Sequence, residues 1–130
     1  MTNSEIPPTR ILIIDDEAPF TRMVKLNMEN AGNFLVETLN DSPRARVVAK
    51  EFEPNIILLD VVMPEADGGD VATMLRANDA TKDIPIIFVS AMVSRRESNK
   101  GLYQSGGEYF LAKPVSSDIL INAINQLLNM

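Results

Sequence analysis

Three runs of uninterrupted apolar residues constrain this chain more than any other feature: Ile11-Leu12-Ile13-Ile14, Ile56-Ile57-Leu58-Leu59 and Ile84-Pro85-Ile86-Ile87-Phe88-Val89. A strand with one wet face alternates apolar and polar residues. A run without alternation fits a strand covered on both faces, as in parallel sheets. Weaker strand candidates are Phe34–Leu39 and Tyr109–Ala112. Between the runs the apolar residues take helical spacing. Phe20, Met23, Val24 and Met28 form one stripe; Ala45, Val48, Ala49 and Phe52 a second; Leu120, Ala123, Ile124, Leu127 and Leu128 a third.

Local punctuation agrees with this division. Gly32 ends the first helix. Ser42-Pro43 reads as an N-cap followed by proline at the first helical position. Glu53-Pro54 closes that helix, because a residue before proline is pushed out of the α region. Asp67-Gly68 reads as a turn and helix start after Met63-Pro64, and Ser116-Ser117-Asp118 opens the last helix. The segment Val93–Gln104 is expected to be a weakly held helix, polar and offering only Val93, Leu102 and Tyr103 to a core. The order is β-α repeated five times, an α/β fold with a mostly parallel sheet and helices on both faces. One domain over residues 9–130 is expected, preceded by a loose tail over residues 1–8 that contains Pro7-Pro8.

Composition narrows the chemistry. Among 130 residues there is no histidine and no cysteine. The commonest general base, the commonest nitrogen ligand, disulfides and thiolate metal sites are therefore all excluded. A net charge of −6 weighs against direct nucleic-acid binding, and the basic cluster Arg95, Arg96 and Lys100 fits a solvated helix face. No apolar run approaches the roughly 20 residues a membrane-spanning helix needs. The sequence opens Met1-Thr2-Asn3-Ser4-Glu5, without a basic signal-peptide start, so a cytoplasmic home is expected.

In an open parallel sheet, ligands bind at the carboxyl ends of the strands, near the point where strand order reverses. Asp15-Asp16-Glu17 comes after the first run, Asp60 after the second and Ser90-Ala91 after the third; Lys113-Pro114 comes after the last strand candidate. Three carboxylates crowded on one rim repel one another unless a divalent cation compensates them. With oxygen ligands alone, a hard ion such as Mg²⁺ is the natural choice. Mg²⁺ takes one or two carboxylates, which leaves another free as a nucleophile toward phosphorus. A lysine and a serine can then neutralise and hydrogen-bond the phosphoryl oxygens.

The segments ILIIDDE (Ile11–Glu17), LDVVMPEADG (Leu59–Gly68), Val89-Ser90-Ala91 and LAKP (Leu111–Pro114) together resemble the motif set of response-regulator receiver domains, the CheY-like switches of two-component signalling. The resemblance covers Arg10 to about Leu128. It implies a flavodoxin-like, doubly wound (βα)5 fold with five parallel strands in the order 2-1-3-4-5. It further implies Asp60 as phosphoacceptor and Asp16 as a direct Mg²⁺ ligand, with Asp15 acting through bound water. Asp60 itself and the backbone carbonyl of Val62 would complete the metal set, and Mn²⁺ could substitute. Ser90 and Lys113 would contact the phosphoryl group. Ser90 and Phe110 would form the switch that reshapes the face of the fourth helix, fifth strand and fifth helix, and Lys113-Pro114 would be a cis peptide candidate.

Two departures from the family pattern stand out. Phe110 replaces the common tyrosine and carries no hydroxyl, while Tyr109 beside it should point to the other face of the strand. The stretch from Ser90 to Lys113 is slightly longer than usual and contains Gly106-Gly107. Val62 and Met92 would flank the pocket with apolar side chains and so influence the lifetime of an aspartyl phosphate.

The implied function is a phosphorelay switch that modifies itself without acting as a conventional enzyme. Lacking histidine, it needs a phosphoryl donor in trans: a sensor histidine kinase or a histidine phosphotransfer protein. An unidentified downstream protein, no nucleic acid or membrane, and a monomer or weak dimer complete the expectation. Two alternatives stand beside it. A phosphorylation-independent docking module would have no use for the intact acidic set. A phosphatase of the haloacid-dehalogenase type carries a second aspartate two residues after its nucleophile, where this chain has Val62. Nucleotide-binding glycine motifs are absent. Taken singly, the residues have plainer readings: Asp15-Asp16 as a turn, Lys113 as a surface lysine, Phe110 as core, Glu17 as a first-turn dipole residue.

Overall fold

The computed structural model describes residues 6–91 and 101–129. Within them lie strands β1 (Thr9–Ile14), β2 (Phe34–Leu39), β3 (Ile56–Leu59), β4 (Ile86–Ser90), β5 (Tyr103–Ser105) and β6 (Glu108–Ala112). The α-helices among these residues are α1 (Ala18–Ala31), α2 (Ala45–Phe52), α3 (Gly68–Arg76) and α4 (Ser117–Leu128). One sheet runs β2-β1-β3-β4-β6-β5. Every pairing is parallel except the antiparallel β5–β6 edge. The parallel core has the expected order, with β6 as its fifth strand and α4 as the fifth expected helix.

The apolar runs are uninterrupted because alternate residues serve two cores. Ile11, Ile13, Ile56, Leu58, Ile87 and Val89 pack with Val24 and Met28 of α1 and with Leu120, Ala123 and Ile124 of α4. Leu12, Ile14, Ile57, Leu59, Ile86 and Phe88 pack on the other face with Ala45 and Ala49 of α2 and with Val71, Ala72 and Leu75 of α3. Ile57 is 0% exposed, and full burial of such a side chain is worth roughly 2 kcal/mol.

Several local expectations need correction. Residues 92–100, including the expected helix start at Val93, the basic cluster Arg95, Arg96 and Lys100, and Met92, lie outside the described residues. The end of that expected helix is not helical: Tyr103 and Gln104 belong to β5, paired with Phe110 and Tyr109. Gly106 (φ 58°) and Gly107 (φ 82°) make the turn, and two successive positive φ values match the twist of a tight hairpin. Ser42 does not cap α2. It is the first residue of a 3₁₀ turn (Ser42–Arg44), with Pro43 second, and α2 begins at Ala45. Met23 is 47% exposed, and Thr21 takes the buried position on α1. Gly32 ends α1 in extended rather than left-handed backbone, and a Cβ there would lie 2.8 Å from the Phe34 ring. Ser116 caps α4 as expected, accepting from Ile119 N–H at 3.2 Å.

The outer edge of β2 is closed by side chains of α1. Val36 N–H donates to Glu29 Oε2 at 2.8 Å, while Lys25 Nζ donates to Val36 O at 2.6 Å and pairs with Glu29 at 3.0 Å. These groups occupy the place of an additional strand, one way to protect a sheet edge. The Val36 N–H, aided by Lys25 against the opposing effect of burial, holds the Glu29 carboxyl below its ordinary value of 4.5. Its stabilising effect is therefore present above that value and is lost as pH falls through the folded pKa. Glu29→Ala is expected to cost about 1–2 kcal/mol at pH 7 in urea unfolding, with the gap to wild type shrinking under acid.

Candidate functional site

Sheet hydrogen bonding continues past the strand ends and fixes the backbone of the acidic residues. Asp15 N–H donates to Leu39 O at 3.0 Å, and Asp60 N–H donates to Ile14 O at 2.9 Å. Strand order reverses between β1 and β3, so the crevice expected of such sheets opens between these aspartates. Asp15 is 1% and Asp60 7% exposed, whereas Asp16 faces solvent. One carboxylate oxygen from each of the three lies within 4.8 Å of the others.

Lys113 enters from the end of β6, where its N–H donates to Ser90 O at 3.1 Å. Its Nζ lies 2.7 Å from Asp15 Oδ2, 2.8 Å from Glu17 Oε1 and 3.7 Å from Asp60 Oδ1. The Phe20 ring centroid is 4.6 Å from the ammonium, a cation–π distance. Burial pulls the Lys113 pKa down, but hydrogen bonds to Asp15 and Glu17 and the charges of Asp15 and Asp60 prevail and hold it above its ordinary value. Lys113 is therefore a fixed positive charge.

Asp60 shows the opposite strain. Burial first, then the charges of Asp15 and Asp16, raise its pKa from 3.8 to about 6, against the lowering effects of Lys113 and the Val61 N–H. This is the behaviour of a carboxylate that is buried first of all and also crowded by like charges. The donor set consists wholly of oxygens, so the residues fit a hard divalent cation rather than a soft one.

The remaining expected residues take clear places. Ser90 is buried at the last position of β4. The side chain of Val62 is 59% exposed in the loop after Asp60. The Lys113-Pro114 peptide is cis. Phe110 lies back from the rim, its β4 neighbour being Phe88, and it packs on the α2/α3 side while Tyr109 packs on the other.

Several supporting contacts were not expected from the sequence. Asn40 Nδ2 donates to Asp15 O at 2.8 Å and to Thr21 Oγ1 at 3.1 Å, tying the β1 and β2 ends to α1. A signal for it was available, since Asn40 stands immediately after β2. Glu17 N–H donates to Asp15 Oδ1 at 3.0 Å, and the Glu17 carboxylate holds Lys113. Gly68, expected only to turn the chain, packs beneath the phosphoacceptor candidate: its N–H donates to Val61 O at 2.7 Å, and a Cβ would lie 2.3 Å from Asp60 O. Asp67 caps α3, accepting from Asp70 N–H at 2.9 Å.

The family model of the response regulator receiver domain matches residues 11–125. The chain is 32% identical over 119 residues to the DNA-binding dual master transcriptional regulator RpaA of Synechocystis, covering 92% of this chain and 48% of RpaA. It is 35% identical over 118 residues to the response regulator PleD of Caulobacter vibrioides, covering 91% of this chain and 26% of PleD. It thus spans about half or less of these relatives' length. Among solved structures, the chemotaxis protein CheY4 of Vibrio cholerae superposes with a TM-score of 0.76 at 25% identity, covering 92% of this chain and 98% of CheY4. A sensor protein from Polaromonas superposes with a TM-score of 0.79 at 25% identity, covering 95% of this chain and 98% of the other.

Proposed function

Because this chain belongs to the response regulator receiver domain family, we propose that it accepts a phosphoryl group on Asp60 from a phosphohistidine of a partner protein in a Mg²⁺-dependent reaction. One observation carries this reading. Asp60 is a buried carboxylate grouped with Asp15 and Asp16, and the Lys113 ammonium is 3.7 Å from its Oδ1.

In the reaction the P–N bond of the donor breaks as a bond forms between phosphorus and an Asp60 oxygen, and the leaving imidazole keeps the bonding electrons and takes up a proton. With a pKa of about 6, Asp60 is largely ionised at pH 7.5 and able to attack. Asp15, Asp16, Asp60 and the Val62 carbonyl would hold Mg²⁺ or Mn²⁺, which supplies charge compensation for the phosphoryl oxygens. Lys113 exchanges part of its contact with Asp15 and Glu17 for the incoming phosphoryl oxygens, and the Ser90 hydroxyl hydrogen-bonds them. Ser90 and Phe110 would then reset the face made by β6 and α4.

The donor would be a sensor histidine kinase or histidine phosphotransfer protein, and a separate protein would read the result. A cytoplasmic monomer or weak dimer suits this role. No helix among the described residues is long and apolar enough to cross a membrane. A phosphatase reading lacks its acid, since apolar Val62 stands two residues after Asp60.

Phosphoramidate carries the same P–N bond and tests the reading. With Mg²⁺ it should give a single adduct that hydroxylamine cleaves, as an acyl phosphate requires. A hydroxylamine-resistant adduct, or rapid multiple turnover of small phosphate esters, would count against it. Asp16→Asn is expected to weaken Mg²⁺ binding about tenfold or more by calorimetric titration.

A further inference from the structure

The aromatic ring at the proposed switch position is held from both sides. Phe88 stacks on Phe110 with centroids 5.5 Å apart at 27°, and Tyr103 stacks on it at 5.5 Å and 22°. Phe88 belongs to the central sheet, whereas Tyr103 comes from the short edge strand β5, directly paired with Phe110 in the antiparallel register.

The hairpin that presents Tyr103 is anchored. Gly106 and Gly107 fix its turn at positive φ. Arg76 at the end of α3 makes a two-pronged pair with Glu108 at the start of β6, both contacts 2.8 Å. Such geometry orients better than a single exposed contact. Because α3 begins at Gly68, packed against the Asp60 carbonyl, the helix beside the acceptor loop also holds the hairpin in place.

We propose that Tyr103 is a positioning residue which, through ring stacking from the Gly106-Gly107 hairpin, holds Phe110 in its present orientation and so sets how readily the domain switches. This rests on the switching role proposed for Phe110. Phe110 has no hydroxyl with which to fix either orientation, so ring contacts must supply the bias. Phe88 sits inside the sheet core at 6% exposure, whereas Tyr103 is the half-buried stacking partner on the edge strand. Losing one stacked aromatic pair corresponds to a roughly fivefold change in a two-state population.

The test uses unphosphorylated protein with ¹³C-labelled phenylalanine rings, with Phe110 rotamer populations measured by NMR. Tyr103→Ala is expected to raise the minor Phe110 orientation about fivefold, and Tyr103→Phe, which keeps the ring, to restore the wild-type ratio. Tyr103→Leu keeps apolar bulk without an aromatic ring and should act like alanine; it serves if alanine loosens the hairpin. Unchanged populations in the alanine and leucine variants, or a phenylalanine variant that fails to restore them, overturn the proposal. Acetyl phosphate labelling of the wild type is scored separately. Its failure would remove the phosphoacceptor reading, while the ring populations would still decide the role of Tyr103.

Discussion

Asp60→Asn is expected to stabilise the metal-free protein by about 2–3 kcal/mol at pH 7.5, a rise of roughly 10 °C in melting temperature. Burial and the charges of Asp15 and Asp16 raise the Asp60 pKa from 3.8 to about 6. A raised carboxyl pKa means that the folded protein binds the proton more tightly than the unfolded chain. Below about pH 4 both forms are protonated and Asp60 carries no penalty. As pH climbs from about 4 to 6 the unfolded chain ionises first, stability falls, and the full penalty remains above that window. Asparagine keeps the shape and removes the charge. The stability difference between variant and wild type should therefore be near zero at pH 4 and grow to its plateau by about pH 6.5. Urea unfolding across that range measures it. Saturating Mg²⁺ should narrow the gap, because a ligand at 100 times its Kd stabilises the wild type by about 2.7 kcal/mol. Equal stability at pH 7.5 without metal would show that neither burial nor the neighbouring carboxylates penalise the Asp60 charge.

Gly68→Ala is expected to act in the opposite direction and through backbone packing. A Cβ at this position would lie 2.3 Å from Asp60 O and 3.0 Å from Val61 Cα, both backbone atoms. Relief requires the acceptor loop or the start of α3 to move. Overpacking of this kind costs about 2–3 kcal/mol. Displacing the nucleophile by about 1 Å is worth on the order of 100-fold in phosphorylation rate. Gly69→Ala is the natural control, since its Cβ would approach only the Asp67 side chain, at 3.3 Å. It should change stability by less than about 1 kcal/mol and leave labelling intact. Matching behaviour of the two variants would exclude close packing under Asp60 as the reason for glycine there.

Legibility in the sequence tracks the strength of each physical signal. Ile11–Ile14 and Ile56–Leu59 declared themselves as double-faced strands because both neighbouring cores claim their residues. Asp15, Asp60 and Lys113 stood out by their position immediately after a strand, and the structure brings them together. The hairpin strand Tyr103–Ser105 was missed because it is short and largely polar, held by backbone pairing and one ring stack rather than by apolar periodicity. Thr21, which is not among the apolar residues of the expected stripe, is buried while Met23 is exposed, because Thr21 is satisfied inside, its Oγ1 donating to Ala18 O at 3.1 Å and accepting from Asn40. Gly68 could not be weighed from its neighbours in sequence, since its constraint is the Asp60 carbonyl across the loop.

Intact-mass spectrometry after incubation with acetyl phosphate tests the central claim most directly. The wild type with Mg²⁺ should gain one phosphoryl increment, lost when the metal is chelated, and Asp60→Asn should gain none. An increment that persists in Asp60→Asn, or none in the folded, metal-loaded wild type, would contradict the assignment of Asp60 as the phosphoacceptor.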